Sequence, residues 1–239
     1  MGVNDIVLAL DDVHSGYGEI EVLRGVSCSV RRGTTTCIIG ANGAGKSTLL
    51  KTIFGLLRPS RGTMSFHGLD IAGKSSKELL KMGISYVPQG RCNFPAMSVQ
   101  ENLEMGAFTR ADDRVKADIE AVYGRFAILR ERRHVAAGNL SGGQQQVLEI
   151  AMSLLLHPEL LLIDEPSLGL DPTMVEEVFA VINGVKGEGT TVLMVEQNAR
   201  KALANSDYAF VLELGKNWLQ GTGKEILENR EVGSHYLGL

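Results

Sequence analysis

The sequence predicts an α/β fold built on a parallel sheet, and two observations carry this prediction. Apolar, β-branched segments alternate with helix-like segments along much of the chain, a pattern typical of parallel strands joined by helical crossovers. A glycine-rich loop also lies between a buried strand at residues 34–39 and a helix at residues 46–54. This order places the loop at the carboxyl edge of the sheet, where such folds bind their ligands.

The other elements of the predicted core follow from hydrophobic pattern and from turn residues. The predicted strands lie at residues 6–13, 26–30, 62–66, 84–87, 160–163 and 190–195, with a terminal hairpin of residues 208–214 and 217–220 around Gly215. The predicted helices of the later core lie at residues 141–156 and 172–185.

Between residues 91 and 139 the strand-like runs vanish. Residues 99–107 and 112–129 are rich in charge and predict helices. We therefore expect one domain over residues 1–239, with a helical lobe at 91–139 inserted into an α/β core of residues 1–90 and 140–239.

Composition excludes several classes of function. The net charge of −4 gives no overall attraction to nucleic acid. The three cysteines form no CxxC or Cys/His cluster, which argues against zinc and fits a reducing compartment. The amino end has no basic region followed by an apolar stretch, so no signal peptide is expected. No apolar run approaches the ~20 residues that span a bilayer, so we expect a soluble protein whose membrane role requires a partner.

The glycine-rich loop fits the pattern G-x-x-x-x-G-K-[ST]. Glycines let the backbone curl so that its N–H groups point at phosphate oxygens, and the helix that follows adds its positive end. Lys46 supplies a charge for β and γ phosphates, and Ser47 an oxygen for Mg²⁺. The phosphate-binding residues are predicted to be Gly40, Asn42, Gly43, Gly45, Lys46, Ser47 and Thr48.

Two acids, Asp164 and Glu165, end the apolar strand at residues 160–163. Asp164 could hold Mg²⁺ through a water, and Glu165 could act as the general base on an attacking water. Alone, two acids after a strand would be a solvated turn. Beside a phosphate loop at the same sheet edge, they predict phosphoryl transfer.

A second glycine-rich site opens the helix at residues 141–156. Ser141 is a good N-cap, and Gly142, Gly143 and Gln144 follow it. A hydroxyl beside bare N–H groups at a helix start is an anion site. The chain thus has two anion sites and one acidic centre, which suggests a nucleotide site completed by a second copy.

At these three motifs the chain resembles the ATP-binding cassette family over nearly its whole length. Residues 140–144 match the family's signature sequence, 40–48 its Walker A loop and 160–165 its Walker B strand. The resemblance implies a P-loop NTPase fold: a RecA-like parallel core sheet, an N-terminal antiparallel β subdomain and an inserted α-helical subdomain. It also implies ATP and Mg²⁺, and two cassettes packed head to tail with each ATP between one Walker A loop and the other signature.

Further roles carry over by position in the family. Tyr17 resembles the aromatic that stacks on adenine; a lone tyrosine in a loop is more often mere surface, but its placement favours stacking. Gln89 resembles the glutamine that reaches Mg²⁺ and the attacking water, and residues 167–171 resemble the loop that crosses the dimer interface. Many cassettes have a histidine where this chain has Gln197. Either Gln197 substitutes as the γ-phosphate sensor, which we favour, or hydrolysis is impaired.

The segments 86–91, 94–95, 166–170, 195–198 and 236–239 resemble the ATP-binding subunits of branched-chain amino acid importers. Such a subunit works on the cytoplasmic face of the inner membrane, bound to integral membrane permeases and a second ATPase subunit, with a periplasmic binding protein acting indirectly. Pairing with itself or with a different ATPase both stay open. So do transport of urea or short amides and a non-hydrolysing regulatory role.

Overall fold

The computed structural model describes residues 5–233. Its strands are β1 (Ile6–Tyr17), β2 (Ile20–Arg31), β3 (Thr35–Ile39), β4 (Arg61–Phe66), β5 (Leu69–Asp70), β6 (Ile84–Val87), β7 (Leu160–Asp164), β8 (Thr191–Glu196), β9 (Tyr208–Glu213) and β10 (Lys216–Gly221). Its α-helices are α1 (Lys46–Ile53), α2 (Ser76–Lys81), α3 (Val99–Gly106), α4 (Val115–Arg125), α5 (Ala127–Glu131), α6 (Gly142–Leu154), α7 (Pro172–Gly187), α8 (Ala199–Ala204), α9 (Gly223–Leu227) and α10 (Arg230–Val232).

The larger sheet has six strands in the order β10-β9-β3-β8-β7-β6. Neighbouring strands from β9 to β6 pair in parallel, and β10 returns antiparallel to β9 as the predicted hairpin. Every residue of β3, β7 and β8 is buried, as expected of parallel strands covered on both faces. The predicted parallel core is therefore confirmed.

Successive residues of these strands belong in turn to two separate hydrophobic clusters, one on each face of the sheet. Ile38 of β3 joins the cluster with α1 and the smaller sheet, whereas its neighbour Ile39 joins the cluster with α6 and α7. The period of two along a strand sends successive side chains to opposite faces. The loops at the carboxyl ends of the strands are thereby fixed by packing on both sides.

The smaller sheet is antiparallel, with four strands in the order β2-β1-β4-β5. Its first two strands are longer than predicted, because pairing continues through polar and half-buried residues beyond the apolar alternation at 6–13 and 26–30. Tyr17 consequently ends a strand and does not lie in a loop, which corrects the sequence-based expectation.

The single helix predicted at residues 112–129 is wrong: the structure has α4 and α5 there instead. At the start, Asp112 accepts hydrogen bonds from the backbone N–H of Arg114 and from the Arg110 guanidinium, which favours a turn over a first helical turn. Between the two helices, Phe126 leaves helical geometry with φ −116° and ψ 83°. The lobe boundaries at 91 and 139 stay a prediction.

None of the helices in the described range, 5–233, has the length and apolar character needed to cross a membrane. The resemblance at residues 236–239 lies outside the described residues.

Candidate functional site

A cavity of about 570 Å³ opens at the carboxyl edge of the six-stranded sheet. The loops after β3, β6, β7 and β8 all contribute to it, so four stretches that are distant in sequence meet at one place. The cavity is lined by Tyr17, Val22, Asn42, Gly43, Gly45, Lys46, Ser47, Thr48, Gln89, Glu165, Leu168 and Gln197.

The phosphate loop joins β3 to α1 and wraps around a buried lysine. Lys46 is 4% exposed, and its Nζ donates hydrogen bonds to the carbonyl oxygens of Gly40 at 3.0 Å and Ala41 at 3.3 Å. Gly45 has φ +103°, a left-handed conformation that favours glycine, and a Cβ at Gly40 would lie 2.3 Å from the Leu212 carbonyl oxygen. The sequence pattern therefore encodes a curled backbone that encloses a positive charge.

Glu165 lies between a cation and an amide donor. Its Oε1 is 3.7 Å from the Lys46 Nζ, and its Oε2 accepts a hydrogen bond of 2.9 Å from the Gln89 Nε2. Its backbone has φ +49°, which is uncommon for a residue with a side chain, and its N–H donates to the Val195 carbonyl oxygen. The predicted base, lysine and glutamine thus form one hydrogen-bonded and ionic group.

Asp164 is 1% exposed and accepts two hydroxyl hydrogen bonds. Ser47 Oγ donates to Oδ1 at 2.8 Å, and the Tyr86 hydroxyl donates to Oδ2 at 3.0 Å. Burial, together with the Asp164 charge, raises the pKa of Tyr86, so the phenol keeps its proton and remains a donor. Sequence reasoning missed Tyr86, since its proximity to Asp164 depends on the pairing of β6 with β7.

Glu196 is a second acidic residue that sequence reasoning left without a role of its own. It is buried at the end of β8, and its carboxylate accepts hydrogen bonds from the backbone N–H of Ser167 at 2.8 Å and of Asn198 at 3.0 Å. Burial raises the pKa of Glu196. The carboxylate joins the loop after β7 to the loop after β8, and the second of these carries Gln197 on the wall of the cavity.

The second glycine-rich site lies at the start of α6, and residues 141–144 are absent from the described lining of the cavity. Ser141 caps the helix: its Oγ accepts from the Gln144 N–H, and the Gln144 side chain accepts from the Ser141 N–H. Gly143 is buried, and a Cβ there would lie 2.6 Å from the Met174 Sδ on α7. One of the two glycines is therefore required by helix packing, a reason that the sequence did not reveal.

Replacing Gly143 with alanine is expected to lower the free energy of unfolding by about 1–3 kcal/mol, because the new methyl group overpacks the contact with Met174. Chemical denaturation measures the change. Gly187→Ala, in α7 with open space around the added methyl, is the control and should not destabilise. A second substitution, Met174→Ala, should recover part of the loss; no recovery would contradict the packing explanation.

The cassette fold and this site define a class of protein. An ABC transporter family model matches residues 23–168, more than half of the chain, so the chain belongs to the ABC transporter family. The fold is that of a crystal structure of an ATP-binding cassette of an ABC transporter in its ADP conformation, with a TM-score of 0.86 and 30% identity over 98% of this chain and 99% of that one.

Two relatives are similar along nearly their full length. The chain is 42% identical to the high-affinity branched-chain amino acid transport ATP-binding protein BraG of Pseudomonas aeruginosa, over 97% of this chain and 100% of the relative. It is 36% identical to a probable branched-chain amino acid transport ATP-binding protein LivF of Archaeoglobus fulgidus, over 95% and 97%. The chain is a nucleotide-binding ATPase.

Proposed function

We propose that this ATPase powers import of branched-chain or other hydrophobic amino acids through partner membrane permeases. The proposal that ATP drives the transport rests on the cavity at the sheet edge. Three different loops bring four residues to its lining: Lys46, Ser47, Gln89 and Glu165. The two relatives named for branched-chain amino acid transport support the choice of solute.

The cavity suits a nucleoside triphosphate. The backbone N–H groups of the phosphate loop and the Lys46 ammonium bind the β and γ phosphates. Tyr17, 44% exposed at the end of β1, offers a ring face on which the adenine stacks. Thr48, Asn42 and the loop glycines line the remaining phosphate side.

The oxygen donors beside the phosphate loop fit Mg²⁺. The Ser47 hydroxyl and the Asp164 carboxylate lie 2.8 Å apart, and Gln89, which lines the same cavity, has an amide oxygen that could complete the set. Within residues 5–233 no group of three His, Cys, Asp or Glu side chains could hold a metal ion by itself. This agrees with Mg²⁺, which keeps waters and substrate phosphates among its ligands. Bound there, the ion would neutralise phosphate charge.

Hydrolysis requires a water aligned with the γ-phosphate. Glu165 accepts the proton of that water as the water oxygen bonds to the γ-phosphorus, and the bond to the bridging oxygen breaks to release ADP. Gln89, which donates a hydrogen bond to Glu165, orients the water. Gln197, on the cavity wall, donates an amide hydrogen bond to the γ-phosphate in place of a histidine.

The start of α6 does not line the cavity, which leaves Ser141, Gly142, Gly143 and Gln144 available for the ATP of a second ATPase subunit. That subunit is a second copy or a different cassette. The pair binds integral membrane permeases on the cytoplasmic face of the inner membrane, and a periplasmic binding protein delivers the solute.

Reconstitution tests this function. The full chain, its permeases and any second ATPase are placed in proteoliposomes with the binding protein, and phosphate release and solute uptake are measured together. Leucine, isoleucine or valine should stimulate both, whereas urea and short amides should not. If only the amides stimulate phosphate release and uptake, the assignment to hydrophobic amino acids is wrong. If ATP hydrolysis moves the solute in the export direction, the assignment as an importer is wrong.

A second candidate function is a non-hydrolysing regulatory module, and Gln197 at the usual histidine position favours it. The same phosphate-release measurement distinguishes the two. Turnover that continues when the partner ATPase is made inactive excludes the regulatory module, while ATP binding without phosphate release excludes hydrolysis by this chain.

A further inference from the structure

Glu149 is a buried acid on α6 that does not line the nucleotide cavity. It is 5% exposed, and its Oε1 accepts hydrogen bonds from the backbone N–H of Cys92 at 2.7 Å, the backbone N–H of Asn93 at 3.1 Å and the Asn93 Nδ2 at 2.8 Å. These two residues belong to the segment between β6 and α3, residues 88–98, which we call the Gln89 segment.

The Gln89 segment contains no helix or strand, and its backbone groups are satisfied partly by the backbone N–H groups of Ala137 and Gly138 and partly by buried side chains. Glu149 does so at Cys92 and Asn93. Asn102, fully buried on α3, does so further along: its Oδ1 accepts from the Phe94 N–H at 2.7 Å, and its Nδ2 donates to the Phe94 carbonyl oxygen at 3.0 Å. Asn102 Nδ2 also donates to the carbonyl oxygens of Met97 at 3.2 Å and Ser98 at 2.9 Å, so α6 holds the segment at Cys92 and Asn93, and α3 holds it from Phe94 to Ser98.

Burial raises the pKa of Glu149, although the three donors on Oε1 oppose this shift. Its Oε2 is also buried and has no hydrogen-bond partner within the part of the chain that the structure describes. An unsatisfied buried oxygen destabilises a fold. Only Oε1 therefore forms stabilising hydrogen bonds, and these bonds attach the Gln89 segment to α6.

Glu149 lies about two helical turns after Ser141 on the same helix. Its partner Cys92 lies three residues after Gln89, which donates to Glu165. We propose that Glu149 is a positioning residue that fixes Gln89 to the helix beginning at Ser141, so that the two nucleotide-contacting segments of the chain move together. This inference rests on the roles proposed above for Gln89 and Ser141.

The matched variants are Glu149→Gln and Glu149→Met. Both are uncharged and of similar length, but only glutamine keeps an oxygen acceptor at the Oε1 position. In the full chain with its partner subunits, Glu149→Met is expected to lower kcat for ATP by about tenfold with an unchanged KM, since the phosphate loop is untouched. Glu149→Gln should stay within about twofold of the parent.

Ser153→Ala is the control on the same helix. Among the described residues, Ser153 Oγ donates to the backbone carbonyl oxygen of Glu149 and not to the Gln89 segment, so its loss should leave kcat unchanged. If Glu149→Met also leaves kcat unchanged, or if Glu149→Gln falls as far as Glu149→Met, the positioning role is wrong.

Cys92 provides a readout at the attachment itself. It is exposed, whereas Cys28 and Cys37 are buried and burial raises the pKa of both thiols to about 12. Iodoacetamide therefore modifies Cys92 first in the folded protein. Release of the segment should raise this rate several-fold in Glu149→Met over Glu149→Gln; because both variants are uncharged, any effect of charge on the thiol cancels. Equal rates would contradict the proposal.

Gln89→Ala separates this inference from the proposed function. If Gln89→Ala leaves turnover unchanged, the proposed role of Gln89 fails, and the positioning role of Glu149 fails with it. If Gln89→Ala lowers turnover while Glu149→Met does not, the proposed function stands and only the attachment is refuted.

Discussion

Replacing Glu165 with glutamine is expected to preserve ATP binding and to lower ATP turnover by a hundredfold or more. The amide keeps the shape of the side chain and can still contact Gln89, but it cannot accept the proton of the attacking water, and general-base catalysis contributes about 10²–10⁴ in rate. Because unhydrolysed ATP then stays bound between two ATPase subunits, the variant should also accumulate as an ATP-bound dimer.

Phosphate release and light scattering in the presence of ATP and Mg²⁺ measure the two effects. Glu177→Gln, which makes the same chemical change at an exposed position on α7, is the control and should match the parent in both. A Glu165→Gln protein with parental turnover would remove Glu165 from the role of base, whatever its state of association.

Replacing Lys46 with alanine is expected to weaken ATP binding by about a hundredfold or more. The ammonium is buried within the phosphate loop, and loss of one member of a buried, hydrogen-bonded charge pair costs about 2–5 kcal/mol, which corresponds to roughly 30-fold to several-thousandfold in affinity. Turnover at moderate ATP concentration should vanish with it.

Calorimetric titration with a slowly hydrolysed ATP analogue measures the affinity directly. Lys81→Ala, which removes an exposed lysine from the last turn of α2, has the same effect on net charge and should bind as the parent does. Parental affinity in Lys46→Ala would contradict the assignment of the phosphate loop.

The parts of the site that could be predicted are those encoded within a few consecutive residues. The phosphate loop needs glycines beside a lysine, and the acids Asp164 and Glu165 need only the end of an apolar strand. Both signals are local. The predicted parallel core follows in the same way from the alternation of strand-like and helix-like segments.

Residues that act through distant partners could not be found from the sequence. Tyr86 donates to Asp164 because β6 lies next to β7, and strand order is not a local property. Glu149 and Glu196 are buried acids within a helix and a strand, and each accepts a backbone hydrogen bond from a loop that is distant in sequence. Such acids resemble surface residues until the fold places the loops beside them.

Lys46 is also expected to influence which anions the phosphate loop binds. Its Nζ is already satisfied by two carbonyl oxygens and has the Glu165 carboxylate nearby. A small monovalent anion such as chloride makes too few contacts with this lysine to replace the two carbonyl oxygens that already accept its hydrogen bonds. A polyphosphate would meet the loop N–H groups and the lysine at several oxygens at once, so we expect the loop to discriminate against small monovalent anions before any base or sugar is recognised.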